Sequence, residues 1–69
     1  MMLQVRLKQY LIVKKPTEKT EDFLDRISKF IENTDQTEVG DDRLSFRDIQ
    51  YNGTLDSAVV IFNKKFVGF

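Results

Sequence analysis

Sixty-nine residues, 41% hydrophobic and 32% charged, with one Pro and three Gly, point to a single small globular domain spanning 1–69 rather than a disordered or repetitive chain. The absence of Cys and His excludes disulfides, thiol nucleophiles, Cys/His zinc sites and a histidine switch, which leaves oligomerisation as the main staple for so small a core. Eleven basic and eleven acidic residues cancel, which disfavours general nucleic-acid binding, and no apolar run approaches the ~18 residues of a membrane span.

Arg6 and Lys8 also interrupt the N-terminal apolar stretch before it reaches signal-peptide length, so the expected location is cytoplasmic. The charges are segregated along the chain. Arg6, Lys8, Lys14 and Lys15 make the start basic, residues 16–42 are strongly acidic, and Arg43, Arg47, Lys64 and Lys65 make the remainder basic again.

Leu3, Val5 and Leu7 alternate with Gln4, Arg6 and Lys8, the two-residue period of a strand with one buried face. The parity then slips, because Tyr10 and Ile12 carry the next apolar positions while Leu11 and Val13 fill the other face, and a bulge near Lys8-Gln9 is expected. Lys14-Lys15-Pro16-Thr17 ends this first strand.

Phe23, Leu24, Ile27, Phe30 and Ile31 follow at i, i+1, i+4, i+7 and i+8, which puts all five on one stripe of a helix. Thr17 or Thr20 is the expected N-cap, Glu18, Glu21 and Asp22 suit the positive end of the helix dipole, and Asn33 is the expected stop. Asp22-Arg26 and Asp25-Lys29 read as exposed i, i+4 pairs.

The acidic segment 34–42 reads as a loop. Its Asp35-Gln36-Thr37-Glu38-Val39-Gly40 run has a Gly where a calcium loop needs one, but Thr37 and Val39 occupy positions where oxygen-rich ligands belong, so no metal is expected. Leu44, Phe46, Ile49 and Tyr51 form a second strand with a bulge at Arg47-Asp48, and Asn52-Gly53 opens a hairpin turn that runs to Asp56. The third strand, Ser57 to Phe62 at least, is apolar on both parities and therefore belongs in the middle. The expected fold is α+β, a β-α-β-β chain whose three-stranded mixed sheet has the order 1-3-2 and carries one helix on one face. A helix covers only that face, so the other stays open for a second copy or a partner. Lys64-Lys65-Phe66-Val67-Gly68-Phe69 is a frayed, sticky tail, an extension of the third strand, or an arm that crosses a protomer boundary.

Met2-Leu3-Gln4-Val5-Arg6-Leu7, Asp48-Ile49-Gln50-Tyr51 and Ser57-Ala58-Val59-Val60-Ile61-Phe62 resemble the corresponding segments of the small sporulation-expressed cytoplasmic proteins of Bacillus and their phage-encoded relatives. The resemblance implies a β-α-β-β fold with no established catalytic residues. Among the phage relatives it implies proteins that bind and neutralise a host factor or signal. The chain departs from the family pattern in its longer first strand and in the added Phe66 to Phe69 tail.

In the 1-3-2 order, Arg6, Lys8, Arg43, Lys64, Lys65 and Arg47 gather at one end of the sheet, with Tyr10, Tyr51 and Phe66 as ring faces. Guanidinium and ammonium groups grip phosphates and aromatic faces hold a base, so these nine residues form the candidate site for a small anionic, nucleotide-like ligand. No phosphate loop, nucleophile elbow or dinucleotide fingerprint is present, and no base stands near a nucleophile, so neither an enzyme nor a cofactor is expected. The leading expectation is a non-catalytic homo-oligomer that sequesters such a ligand. The alternative is an inhibitor or adaptor that docks a host protein through the open face and the Phe-rich tail.

Overall fold

The structure, a computed structural model, describes residues 6–67. Within them the elements run β1 (Arg6–Val13), α1 (Thr20–Thr34), β2 (Glu38–Val39), β3 (Asp42–Tyr51) and β4 (Ser57–Phe66). The strand order is β1-β4-β3-β2, and each neighbouring pair is antiparallel. The apolar run at Ala58–Phe62 thus places its strand between the two other long ones, as its double-sided hydrophobicity requires.

Three expectations about the sheet are corrected. The sheet is antiparallel rather than mixed, because β1 and β3 run in the same direction but are separated by β4. It has a fourth strand, β2, inside the acidic segment expected to be a loop: Glu38 pairs with Arg43 and Val39 with Asp42, around Gly40 at φ 63°. A two-residue strand carries no periodicity by which sequence could announce it. The bulge expected at Lys8-Gln9 is also absent, since pairing runs unbroken from Arg6↔Lys64 to Val13↔Ser57. The parity slip has another cause: Tyr10 and Ile12 pack into the core, whereas Leu7, Leu11 and Val13 lie on the opposite face. The bulge at Arg47 does occur, as a register shift between Phe46 and Asp48. Leu3 and Val5 of the first strand, and Gly68 and Phe69 of the tail, lie outside the described residues.

The helix forms on the expected stripe, with Phe23 and Ile27 fully buried and Phe30 and Ile31 packed against the core. Its N-cap is Lys19 rather than Thr17 or Thr20, without a side-chain capping bond, and Glu21 and Asp22 supply the charge that favours its first turn. It passes the expected stop at Asn33 and ends at Thr34, where the Asp35 N–H still bonds the Ile31 carbonyl and Gln36 takes the left-handed conformation (φ 67°) that turns the chain away. Lys29 pairs with Asp25 at 3.1 Å, but Arg26 pairs with Glu18 in place of Asp22.

The core lies between α1 and one sheet face and consists of Phe23, Ile27, Leu44, Ala58, Val60 and Phe62. Each fully buried large side chain contributes about 1.5–3 kcal/mol. Phe62 is its centre, with the rings of Tyr10, Phe30 and Phe46 edge-on at 5.8, 6.3 and 6.0 Å. Val59 and Ile61 take the open face. The strand continues past Phe62 to Phe66, and the Val67 N–H bonds the Asp41 carbonyl at 2.8 Å, so the described part of the tail extends β4.

Candidate functional site

The pleat decides where the charges go, because successive side chains of a strand point to opposite faces. On the helix side of β4 the apolar series Ala58, Val60, Phe62 gives way to Lys64 and then Phe66, which is 63% exposed. Arg6 is the register partner of Lys64, and Lys8 and Tyr10 follow along β1 on the same face. Five of the nine candidate residues, Arg6, Lys8, Tyr10, Lys64 and Phe66, therefore share one face at one end of the sheet.

Arg43, Arg47 and Lys65 lie on the opposite, open face. Arg43 and Lys65 are register partners, and Arg47 donates to Asn63 Oδ1 at 3.1 Å. Tyr51, paired with Ala58 beside the hairpin turn, is at the far end of β3 and joins neither group. The cluster expected as one site is thus two, back to back, with Tyr51 apart.

The cations differ in how far they are already engaged. Arg6 spans β4 to ion-pair with Asp42, whose side chain is buried at the start of β3. That contact relieves the like-charge juxtaposition of Arg6 and Lys64 and compensates a carboxylate that would otherwise be costly to bury. Arg43 donates to the Glu38 carboxylate at 3.0 Å across the β2–β3 hairpin. Lys8, Lys64 and Lys65 have no carboxylate within ion-pair distance among the described residues. The Lys8 ammonium stands 5.4 Å from the centroid of the Tyr10 ring, a cation–ring arrangement at an exposed site. Tyr10 is itself held edge-on by Phe30 at 5.1 Å, so its ring orientation is set by the core.

Two relevant residues escaped the reading of the sequence. Asp42, read with Asp41 as a carboxylate pair of a solvated loop, is one in its actual role, since it is buried at the start of β3. The signal was its parity with Leu44, which aims a carboxylate at the helix-side face where it needs a cation. Asn63 is the other, a polar residue on the open face that fixes Arg47.

No protein-family model, curated protein or solved structure matches the chain. No helix among the described residues is long and apolar enough to cross a membrane.

Proposed function

We propose that the chain is a non-catalytic binding protein, working as a homo-oligomer, that holds a small anionic, nucleotide-like ligand at the helix-side basic end of its sheet. The observation that carries this reading is the placement of Lys8 and Lys64, without carboxylate partners among the described residues, on the same face as the Tyr10 ring and the exposed Phe66. Ammonium groups supply point charges for phosphate oxygens, and an exposed ring offers a stacking face for a base. The resemblance of the strand segments to the Bacillus sporulation-expressed proteins and their phage relatives supports a role without catalysis, by sequestration.

Titration calorimetry with ATP, ADP, AMP and pyrophosphate tests the reading. Binding should be lost progressively with salt, and the double variant Lys8→Ala with Lys64→Ala should weaken it by about tenfold or more. Binding that survives the double variant, or no heat from any of these probes with folded protein, overturns it.

A second reading, an inhibitor or adaptor for a larger host protein, is favoured by the open face, where Leu11 and Val13 are 68% and 56% exposed. Isolation of a stoichiometric complex that Leu11→Glu abolishes would select it.

A further inference from the structure

The outer edge of β1 is the least protected feature of the described sheet. The Lys14 N–H bonds the Asp56 carbonyl at 2.8 Å in register with the β1–β4 ladder, so the even-numbered residues of β1 direct their backbone groups to β4. The Asn52 N–H bonds Ser57 at 3.1 Å, which by the same alternation turns the odd residues of β4 toward β3 and agrees with this assignment. Leu7, Gln9, Leu11 and Val13 therefore present N–H and C=O groups outward. Only the Val13 carbonyl among these has a partner within the described chain, the Arg26 guanidinium at 2.8 Å.

Natural sheets blunt such an edge with Pro, a bulge, charged side chains or a covering segment. Of these, β1 carries only Arg6 and Lys8, both on the helix-side face. The other edge here is treated that way: β2 pairs with the start of β3, the Gln36 N–H and the Asp35 carboxylate bond Leu44 and Phe46, and Arg47 bulges. Between Arg6 and Val13 there is no Pro, no Gly and no register shift. The apolar part of the open face, Leu7, Leu11, Val13, Val59 and Ile61, also borders this edge, while Arg43, Ser45, Arg47, Asp48 and Gln50 make the β3 half polar. Face-to-face stacking would bury that polar half; pairing at the edge does not.

We propose that a second copy of this chain pairs with β1 along this edge, antiparallel, about a two-fold axis at Gln9. The outward parity permits only odd-to-odd pairings, and charge selects among them. Centring on Lys8 opposes Lys8 to itself, centring on Tyr10 opposes Arg6 to Lys14, and centring on Leu11 opposes Lys8 to Lys14. Centring on Leu7 opposes Arg6 to Lys8, and centring on Ile12 opposes no like charges but needs the Val13 carbonyl that Arg26 already bonds. Centring on Gln9 opposes no like charges among the described residues and leaves that carbonyl alone. It sets Leu7 beside Leu11 of the other copy on the open face, and Lys8 beside its Tyr10 on the helix side. Leu7, Gln9 and Leu11 then exchange their outward backbone hydrogen bonds with the second copy, and the Arg26 contact to Val13 is left in place. This pairing deepens the proposed function and rests on it for the ligand alone: it brings Lys8 and Tyr10 of both copies together, so that the anion site lies across the subunit boundary.

The absence of cysteine makes single-cysteine variants clean probes. Sedimentation should show a dimer at micromolar concentration, and Gln9→Cys should form a disulfide-linked dimer under mild oxidation. A mixture of Leu7→Cys and Leu11→Cys chains should cross-link to each other in preference to themselves, and Gln50→Cys, on the polar half, should not link. Gln9→Pro removes an outward N–H without touching the β4 ladder and should give a folded monomer, judged by circular dichroism and mass. A native monomer at that concentration overturns the pairing, as does a dimer that fails to link through Gln9→Cys or links through Gln50→Cys. These readouts are independent of ligand. A linked dimer that binds no nucleotide overturns the proposed ligand and leaves the pairing standing. A monomer that binds nucleotide overturns the pairing and the homo-oligomeric part of the proposed function and leaves the ligand site standing.

Discussion

The Arg26 guanidinium grips the Glu18 carboxylate through two hydrogen bonds of 2.9 Å, from Nε and Nη2, and Nη2 also donates to the Val13 carbonyl. One helical side chain thus fastens both the β1–α1 crossover and the end of β1. With a further bond from the Lys15 N–H, these contacts lower the Glu18 carboxyl from 4.5 to about 2, the Arg26 hydrogen bond being the largest cause. An acid depressed by folding stabilises fully above its ordinary value and loses that contribution as the pH falls toward the folded value. Between pH 4.5 and 2 the thermal midpoint of the native chain should therefore fall more steeply than that of Glu18→Gln, and at neutral pH the variant should melt lower. Parallel midpoint–pH curves would show that the clamp contributes nothing.

Much of this architecture was legible because long elements repeat their signal. Five apolar residues defined the α1 stripe, and the double-sided run at Ala58–Phe62 put β4 in the centre. What failed was decided by single contacts. Arg26 chose Glu18 over Asp22 because the crossover folds back against the helix, and no spacing rule within a helix can see that. The parity slip in β1 had two explanations, a bulge or two apolar faces, which differ only in whether Leu7, Leu11 and Val13 meet anything. Strand order alone places the basic residues toward one end of the sheet, but their division between two faces follows from strand parity across the Arg47 bulge.

Phe62 touches three other aromatic rings and has no exposure, whereas Phe46 on the margin of the same cluster is 38% exposed. Truncation of a buried Phe to Ala costs about 3–5 kcal/mol, comparable with the whole stability of a domain this size. Phe62→Ala should be largely unfolded at 37 °C by circular dichroism. Phe46→Ala should lose only about 1–2 kcal/mol in urea titration, because part of its surface is already in water. Equal losses at the two positions would mean that Phe62 is not the centre of the core.

Gly40 and Gly53 both have open space where a Cβ would stand, but only Gly40 has a left-handed φ, +63°. Gly40→Ala should cost about 1 kcal/mol from backbone strain alone, and Gly53→Ala should be neutral or slightly stabilising by restricting the unfolded chain. Leu55, at φ 56°, is the converse case: an exposed side chain held in the left-handed region. Its strain of about 1–2 kcal/mol exceeds the chain-entropy cost of glycine, about 0.5–1 kcal/mol, so Leu55→Gly should raise stability by up to about 1 kcal/mol. Denaturant midpoints of the three variants, compared at constant slope, measure these differences.

Asn52 organises the β3–β4 turn from both ends of its amide. Its Oδ1 accepts the N–H groups of Asp56 and Ser57 at 2.9 and 3.0 Å, and its Nδ2 donates to Thr54 Oγ1 and to the Asp56 carboxylate. The Asn52 bond, followed by that of Thr54, lowers the Asp56 carboxyl from its ordinary range, so native stability from this contact is lost as acid protonates Asp56. Asn52→Ala removes the backbone caps at every pH, at about 1–2 kcal/mol, and also removes the amide donor to Asp56, so its cost is larger at neutral pH than in acid. Asn52→Asp keeps the acceptor for the two N–H groups but faces Asp56 with a second carboxylate. In acid, where such a pair retains a proton to share, this variant should approach native stability, and it should weaken as the pH rises through the carboxylate range. Its stability–pH slope is thus opposite in sign to the native contribution of Asp56, which separates loss of the amide donor from loss of the caps. A native stability–pH slope matching that of Asn52→Ala would show that the Asn52 amide and the Asp56 carboxylate do not interact in solution.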